Sequence, residues 1–118
     1  MTDARRGVGA AGEEAAARWY EAAGFTILAR NWRVRTGELD IVARRGRLVA
    51  FCEVKARASD RFGTALDAVT RTKQLRVRRL AAQFLAAHPQ AGCTLRFDVA
   101  AVRPGAAGPA VEMLEAAF

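Results

Sequence analysis

The sequence predicts an α/β fold with a mixed sheet flanked by helices. Three observations carry that prediction. Apolar residues recur at helical spacing near the N-terminus and again after residue 65. Three strand-like segments joined by turn signals lie between these two stretches. One more apolar strand follows the second helix.

The first helix spans about residues 8–23, where Val8, Gly12, Ala15, Ala16, Trp19 and Ala23 share one stripe and Gly24 supplies a stop. Residues 25–34, FTILARNWRV, are rich in β-branched and aromatic side chains and read as a strand. Turn signals stand at Thr36-Gly37 and Arg45-Gly46. Between them Leu39, Ile41 and Ala43 alternate with Glu38, Asp40, Val42 and Arg44, a period-two strand in a hairpin with the next. In that next strand Val49, Phe51, Glu53 and Lys55 share one face and Leu48, Ala50, Cys52 and Val54 the other. Apolar residues on both faces mark a central strand covered on both sides. After a loop over 58–66, a long helix is expected from Ala65 or Asp67 to His88, halted by Pro89 and buried along Val77, Leu80, Ala81, Phe84 and Leu85. Residues 93–102 form a further strand. The stretch RPGAAGPA reads as a turn, and residues 110–114 fit either a short strand or a helix.

The 118 residues fit one domain, and 52% apolar content is enough for a core. Nineteen basic against twelve acidic residues leave a net charge of +7, which points to a polyanionic partner, nucleic acid foremost. Neither a signal-peptide core nor a membrane-spanning apolar run occurs, so a cytoplasmic protein without membrane contact is expected. Cys52 and Cys93 are isolated and read as reduced thiols. His88 is the sole histidine, which argues against a His-based zinc site. Trp19, Tyr20, Phe25 and Trp32 read as core or interface residues in preference to base-stacking platforms. Asp98 reads as an ion-pair partner of Arg96 or another arginine.

The stretch RLVAFCEVKAR carries the chemistry. It begins as a buried strand, then places Glu53 and Lys55 two residues apart on one face, where burying a charge is costly unless it is paired or binds a metal. Across the hairpin, Asp40 falls opposite residues 51–53. Two crowded carboxylates repel, and a hard divalent ion such as Mg²⁺ or Mn²⁺ relieves that repulsion while keeping water in its shell. Asp40, Glu53 and Lys55 are therefore candidate catalytic residues for phosphodiester hydrolysis, Asp40 and Glu53 as metal ligands and Lys55 as the group orienting water. The competing reading is a purely structural ion-pair network among the same three side chains.

The stretch from Gly37 through Arg57, GELDIVARR followed by LVAFCEVKAR, resembles the Asp…Glu-x-Lys core of the restriction-endonuclease-like, PD-(D/E)xK, superfamily. The N-terminal stretch from Gly9, with FGTALDAVTRTKQLRVRRLAAQFL and LRFDVAAV, resembles the YraN-type family of small bacterial proteins over about residues 9–102. The resemblance implies an α-β-β-β-α-β core over 9–102, with a C-terminal turn and short terminal element over 103–118. It implies an analogy to archaeal Holliday-junction resolvases, hence a metal-dependent endonuclease on structured or branched DNA, working as a homodimer. By the same analogy Glu13, with Glu14 as the neighbouring alternative, falls where a first-helix catalytic and metal-binding Glu stands. Gly-Glu-Leu-Asp replaces Pro-Asp here, which makes Glu38 a possible extra ligand.

Of the nineteen basic residues only Lys55 and Lys73 are lysines. Lys73 lies four residues before Val77, on the stripe side of the second helix, and Gln74 flanks that stripe. In the first turns of a helix both are placed to meet a substrate phosphate. Arg57, Arg61, Arg71 and Arg76 surround this region in sequence and are expected to bind backbone phosphates without reading sequence, whereas Arg78 and Arg79 read as a solvated helix face. The alternatives to an enzyme are a non-catalytic nucleic-acid-binding protein and a partner-interaction module on a nuclease fold.

Overall fold

Two helices and five strands follow one another as α1 (Ala4–Ala22), β1 (Thr26–Val34), β2 (Gly37–Arg45), β3 (Leu48–Ala56), α2 (Arg71–Ala87), β4 (Thr94–Arg103) and β5 (Ala110–Leu114). The computed structural model describes residues 4–57 and 64–118, with side chains from residue 9 onward. The expected α-β-β-β-α-β order is present, and the segment left open between strand and helix is β5. The sheet runs β1-β2-β3-β4-β5 in space. Only β3 and β4 are parallel. A parallel pair needs a crossover, and α2 provides it.

Each face of the sheet is covered by one helix. Ala16, Ala17 and Tyr20 of α1 pack with Ile41, Ala43, Ala50, Cys52, Ala100 and Val102. On the opposite face Val77, Leu80, Ala81 and Phe84 of α2 pack on Leu39, Val42, Val49, Phe51 and Phe97. β3 therefore presents Val49 and Phe51 to α2 and Ala50 and Cys52 to α1, as its two-sided apolar pattern predicts. Trp19 and Trp32 pack against these clusters, and Tyr20 and Phe25 are buried. Both cysteines are free thiols.

The local signals shift in three places. α2 begins at Arg71, later than expected, because the Thr70 side chain accepts the Lys73 N–H and caps the helix there. The β2–β3 turn is Gly46-Arg47, with φ +60° at Gly46, the first central position where a tight hairpin calls for glycine. The stripe of α1 includes Ala17 and Tyr20, because the Tyr20 hydroxyl finds a buried partner across the sheet. It donates to Asp98 Oδ2 at 2.6 Å.

One departure is larger. In a regular strand Leu39 and Ile41 would share a face. Instead Ile41 belongs to the α1 side and Leu39 to the α2 side. β1 changes sides at the same level. Arg30, paired with Ile41, reaches Glu14 of α1, whereas Trp32, paired with Leu39, packs edge-on against Phe84 of α2. Asp40 and Asn31 lie at the crossing point.

Candidate active site

The β2–β3 ladder runs from Arg45↔Leu48 to Ile41↔Cys52 and stops. β3 continues beside β4 as far as Ala56, so the strands part at the level of Asp40 and Glu53. Asp40 fills the first open position. Its Oδ2 accepts the Val54 N–H at 2.8 Å, a side chain taking the place of a ladder carbonyl. Beyond it lies a cleft of about 300 Å³ lined by Glu38, Asp40, Glu53, Lys55, Lys73, Arg76, Val77 and Leu80.

The sheet side of this cleft is acidic. Glu13, Glu38 and Asp40 can each offer a carboxylate oxygen, all within 4.8 Å of one another. Glu53 stands beside them and pairs with Lys55 at 3.5 Å. Burial first, then the Glu53 charge, and then Glu13 and Glu38 push the Asp40 carboxyl up to about 7, against the opposing Val54 hydrogen bond. The structure thus brings together Asp40, Glu53, Lys55, Glu13 and Glu38. It also separates the two helical glutamates. Glu14 faces away, paired with Arg18 at 2.8 Å and Arg30 at 2.6 Å.

The helix side is basic. Lys73 and Arg76 stand one turn apart on α2 and line the cleft opposite the carboxylates. Lys73 Nζ donates to the Ala68 carbonyl at 3.1 Å. Sequence reading placed Arg76 only among the surrounding arginines. The spacing i, i+3 from Lys73 along the Val77 stripe is the signal that finds it. The β1–β2 turn closes this wall: a Cβ on Gly37, at φ +153°, would meet Leu80 at 3.1 Å. α2 carries Arg71, Lys73, Arg76, Arg78 and Arg79 and no acidic residue.

Other expected phosphate contacts lie elsewhere. Gln74 turns back to the Val69 carbonyl at 3.1 Å. Arg57 holds the Thr64 carbonyl at 3.2 Å and lines a separate groove with Ala11, Val102 and Pro109. Arg71 is exposed at the start of α2, and Arg61 lies outside the described residues. Arg78 does more than meet solvent: its guanidinium lies 4.5 Å from the Phe97 ring centroid. Asp98 is a structural node, as its pairing with Arg96 at 2.8 Å indicates.

The uncharacterised protein family UPF0102 matches residues 12–102. The chain belongs to this family. A UPF0102 protein of Frankia alni is 51% identical over 116 residues, covering 98% of this chain and 97% of its own. A UPF0102 protein of Symbiobacterium thermophilum is 48% identical over 103 residues, covering 87% of each chain. The matched span of this UPF0102 member holds every residue that lines the cleft, together with Glu13. No helix among its described residues is long and apolar enough to cross a membrane.

Proposed function

We propose that this UPF0102 protein is a divalent-metal-dependent endonuclease that hydrolyses phosphodiester bonds in structured or branched DNA. One observation carries the reading. A single open cleft has carboxylates on one wall and the cations Lys55, Lys73 and Arg76 around it. A structural ion-pair network would mate these charges and close. Here the only ion pair between two lining side chains of the described residues is Glu53–Lys55; Glu38 pairs outward with Arg33, and Asp40 faces other carboxylates.

The donor set fits a hard cation. Every candidate ligand is a carboxylate oxygen, with no thiolate or imidazole among them. Asp40, Glu13, Glu38 and Glu53 would hold Mg²⁺ or Mn²⁺, which when bound supplies Lewis acidity toward a phosphoryl oxygen and acidifies a bound water. Asp40 would hold the ion in its ionised form and so would give up its proton. Lys55 orients the attacking water and offers positive charge to the oxyanion that develops on phosphorus. Lys73 and Arg76 grip the non-bridging oxygens from the helix side, and the other arginines of α2 extend that grip along the backbone without reading bases. Resolution of a four-way junction needs two such clefts, which a homodimer supplies.

The test incubates the purified protein with single-stranded, duplex and four-way DNA and with RNA, with and without Mg²⁺ or Mn²⁺. Cleavage is expected only with metal. It should fall by at least about 10²-fold in Asp40→Ala, Glu53→Ala and Lys55→Ala. Salt-sensitive binding without cleavage, unchanged in Asp40→Ala, would replace the enzyme with a binding module. Neither binding nor cleavage would point to a partner-interaction role.

A further inference from the structure

Asn31 is the one non-glycine residue of the described strands with a positive φ, +52°. It lies on β1 directly opposite Asp40, bracketed by the pairs Arg30↔Ile41 and Trp32↔Leu39. Across these two positions both strands change the face they present. Arg30 and Ile41 belong to the α1 side, Trp32 and Leu39 to the α2 side. Paired strands share their faces, so a turn of one past a left-handed residue forces the same turn in its neighbour. The residue at the crossing in β2 then packs into neither apolar layer. Its side chain lies toward the gap beside β3, and that residue is Asp40, whose carboxylate takes the Val54 N–H at 2.8 Å.

Asn31 itself is exposed, and its side chain makes no hydrogen bond among the described residues. Its contribution is therefore its backbone. Asparagine enters the left-handed region at low cost, whereas a β-branched residue is a clear outlier there. A strand position would otherwise favour the β-branched type.

We infer that Asn31 is the positioning residue of the site: its left-handed backbone breaks the face alternation of β1 and β2 and so aims Asp40 into the cleft between β2 and β3. Substrate never touches Asn31. Only the consequence for cleavage rests on the metal-dependent reading; the placement of Asp40 does not.

The test compares Asn31→Gly, Asn31→Ala and Asn31→Val by amide hydrogen exchange, followed by Mg²⁺ titration. The Val54 amide is the reporter, because its acceptor is the Asp40 side chain. The amides of Leu48 and Ala50, which face β2 inside the closed ladder, are the controls. In Asn31→Val the Val54 amide should exchange about 5- to 30-fold faster relative to those controls. Asn31→Ala should shift it the same way by less, and it supplies the answer should the valine variant not fold. Asn31→Gly should match the wild type. Val54 protection unchanged in Asn31→Ala or Asn31→Val, with the controls intact, would overturn the inference. Uniform acceleration of reporter and controls in Asn31→Ala would overturn it too, by showing a general role in stability. Absence of Mg²⁺ binding in the wild type would remove the endonuclease reading and leave the Val54 result standing on its own.

Discussion

Two aspartates sit in the same sheet and live in opposite surroundings. Asp98 on β4 is fully buried. It accepts from Arg96 Nε at 2.8 Å, Arg96 Nη2 at 2.9 Å, the Tyr20 hydroxyl at 2.6 Å and the Ala116 N–H at 3.0 Å. Asp40 on β2 is only partly buried, accepts from Val54 and otherwise faces Glu13, Glu38 and Glu53. Asp98 has every need met from inside the protein. Asp40 has needs that only a proton or an external cation meets. A satisfied buried group serves the fold, and an unsatisfied carboxylate in an open cleft is what the proposed chemistry requires.

The widest consequence of that contrast falls on stability. Asp98→Ala leaves a part-buried guanidinium whose remaining acidic neighbour is Glu115 at 3.8 Å, and it strips partners from the Tyr20 hydroxyl and the Ala116 N–H. Breaking a buried pair in this way costs about 3–5 kcal/mol. Urea unfolding of Asp98→Ala beside Asp40→Ala should show the loss in the first protein alone. Equal losses in both would erase the distinction between the two aspartates.

The contrast sharpens with pH. The Asp40 carboxyl titrates near 7 in the folded protein, raised by burial and by Glu53, against about 4 in an unfolded chain. A raised acid holds its proton more tightly when folded. Its contribution therefore favours the fold fully below pH about 4 and is lost as the pH climbs to about 7. Asp40→Asn removes that loss. The variant should match the wild type at pH 4 and exceed it by about 1–3 kcal/mol at pH 8. Thermal melts across that range check the slope. Mg²⁺ at pH 8 should raise the melting temperature of the wild type and leave Asp40→Asn unmoved. A variant less stable than the wild type at pH 8 would mean that Asp40 is already compensated.

Much of this was legible in the residues. The two-sided apolar pattern of β3 predicts its central place, and the hairpin across Gly46 brings Asp40 level with Glu53. The kink at Asp40 was not legible. Alternation along GELDIVARR puts Leu39 and Ile41 on one face, and nothing in that strand signals the reversal, because its cause lies in Asn31 of the neighbouring strand. The start of α2 was misplaced for a different reason. Residues 65–69 have helix-compatible side chains, and only the Thr70 cap decides the boundary. Arg76 hid within an arginine-rich helix, where the contact with the cleft, and not residue type, tells it from Arg79.

Glu13 and Glu14 give the finest division, because the sequence offers both for one role. Adjacent residues on a helix point about 100° apart, so only one can share a site with Asp40. Glu13 does, within 4.8 Å of the Asp40 and Glu38 oxygens. Glu14 is held by Arg18 and Arg30, which keep its carboxyl below the usual range, with the Arg30 hydrogen bond the larger cause. An exposed ion pair of that kind contributes little to the fold. Glu14→Ala should therefore leave the melting temperature and the Mg²⁺ affinity within experimental scatter. Glu13→Ala should weaken Mg²⁺ binding about 10- to 100-fold in a calorimetric titration, the range found when a supporting metal-site group is lost. If Glu14→Ala weakens binding instead, α1 presents a different face to the sheet, and the acidic wall must be rebuilt without Glu13.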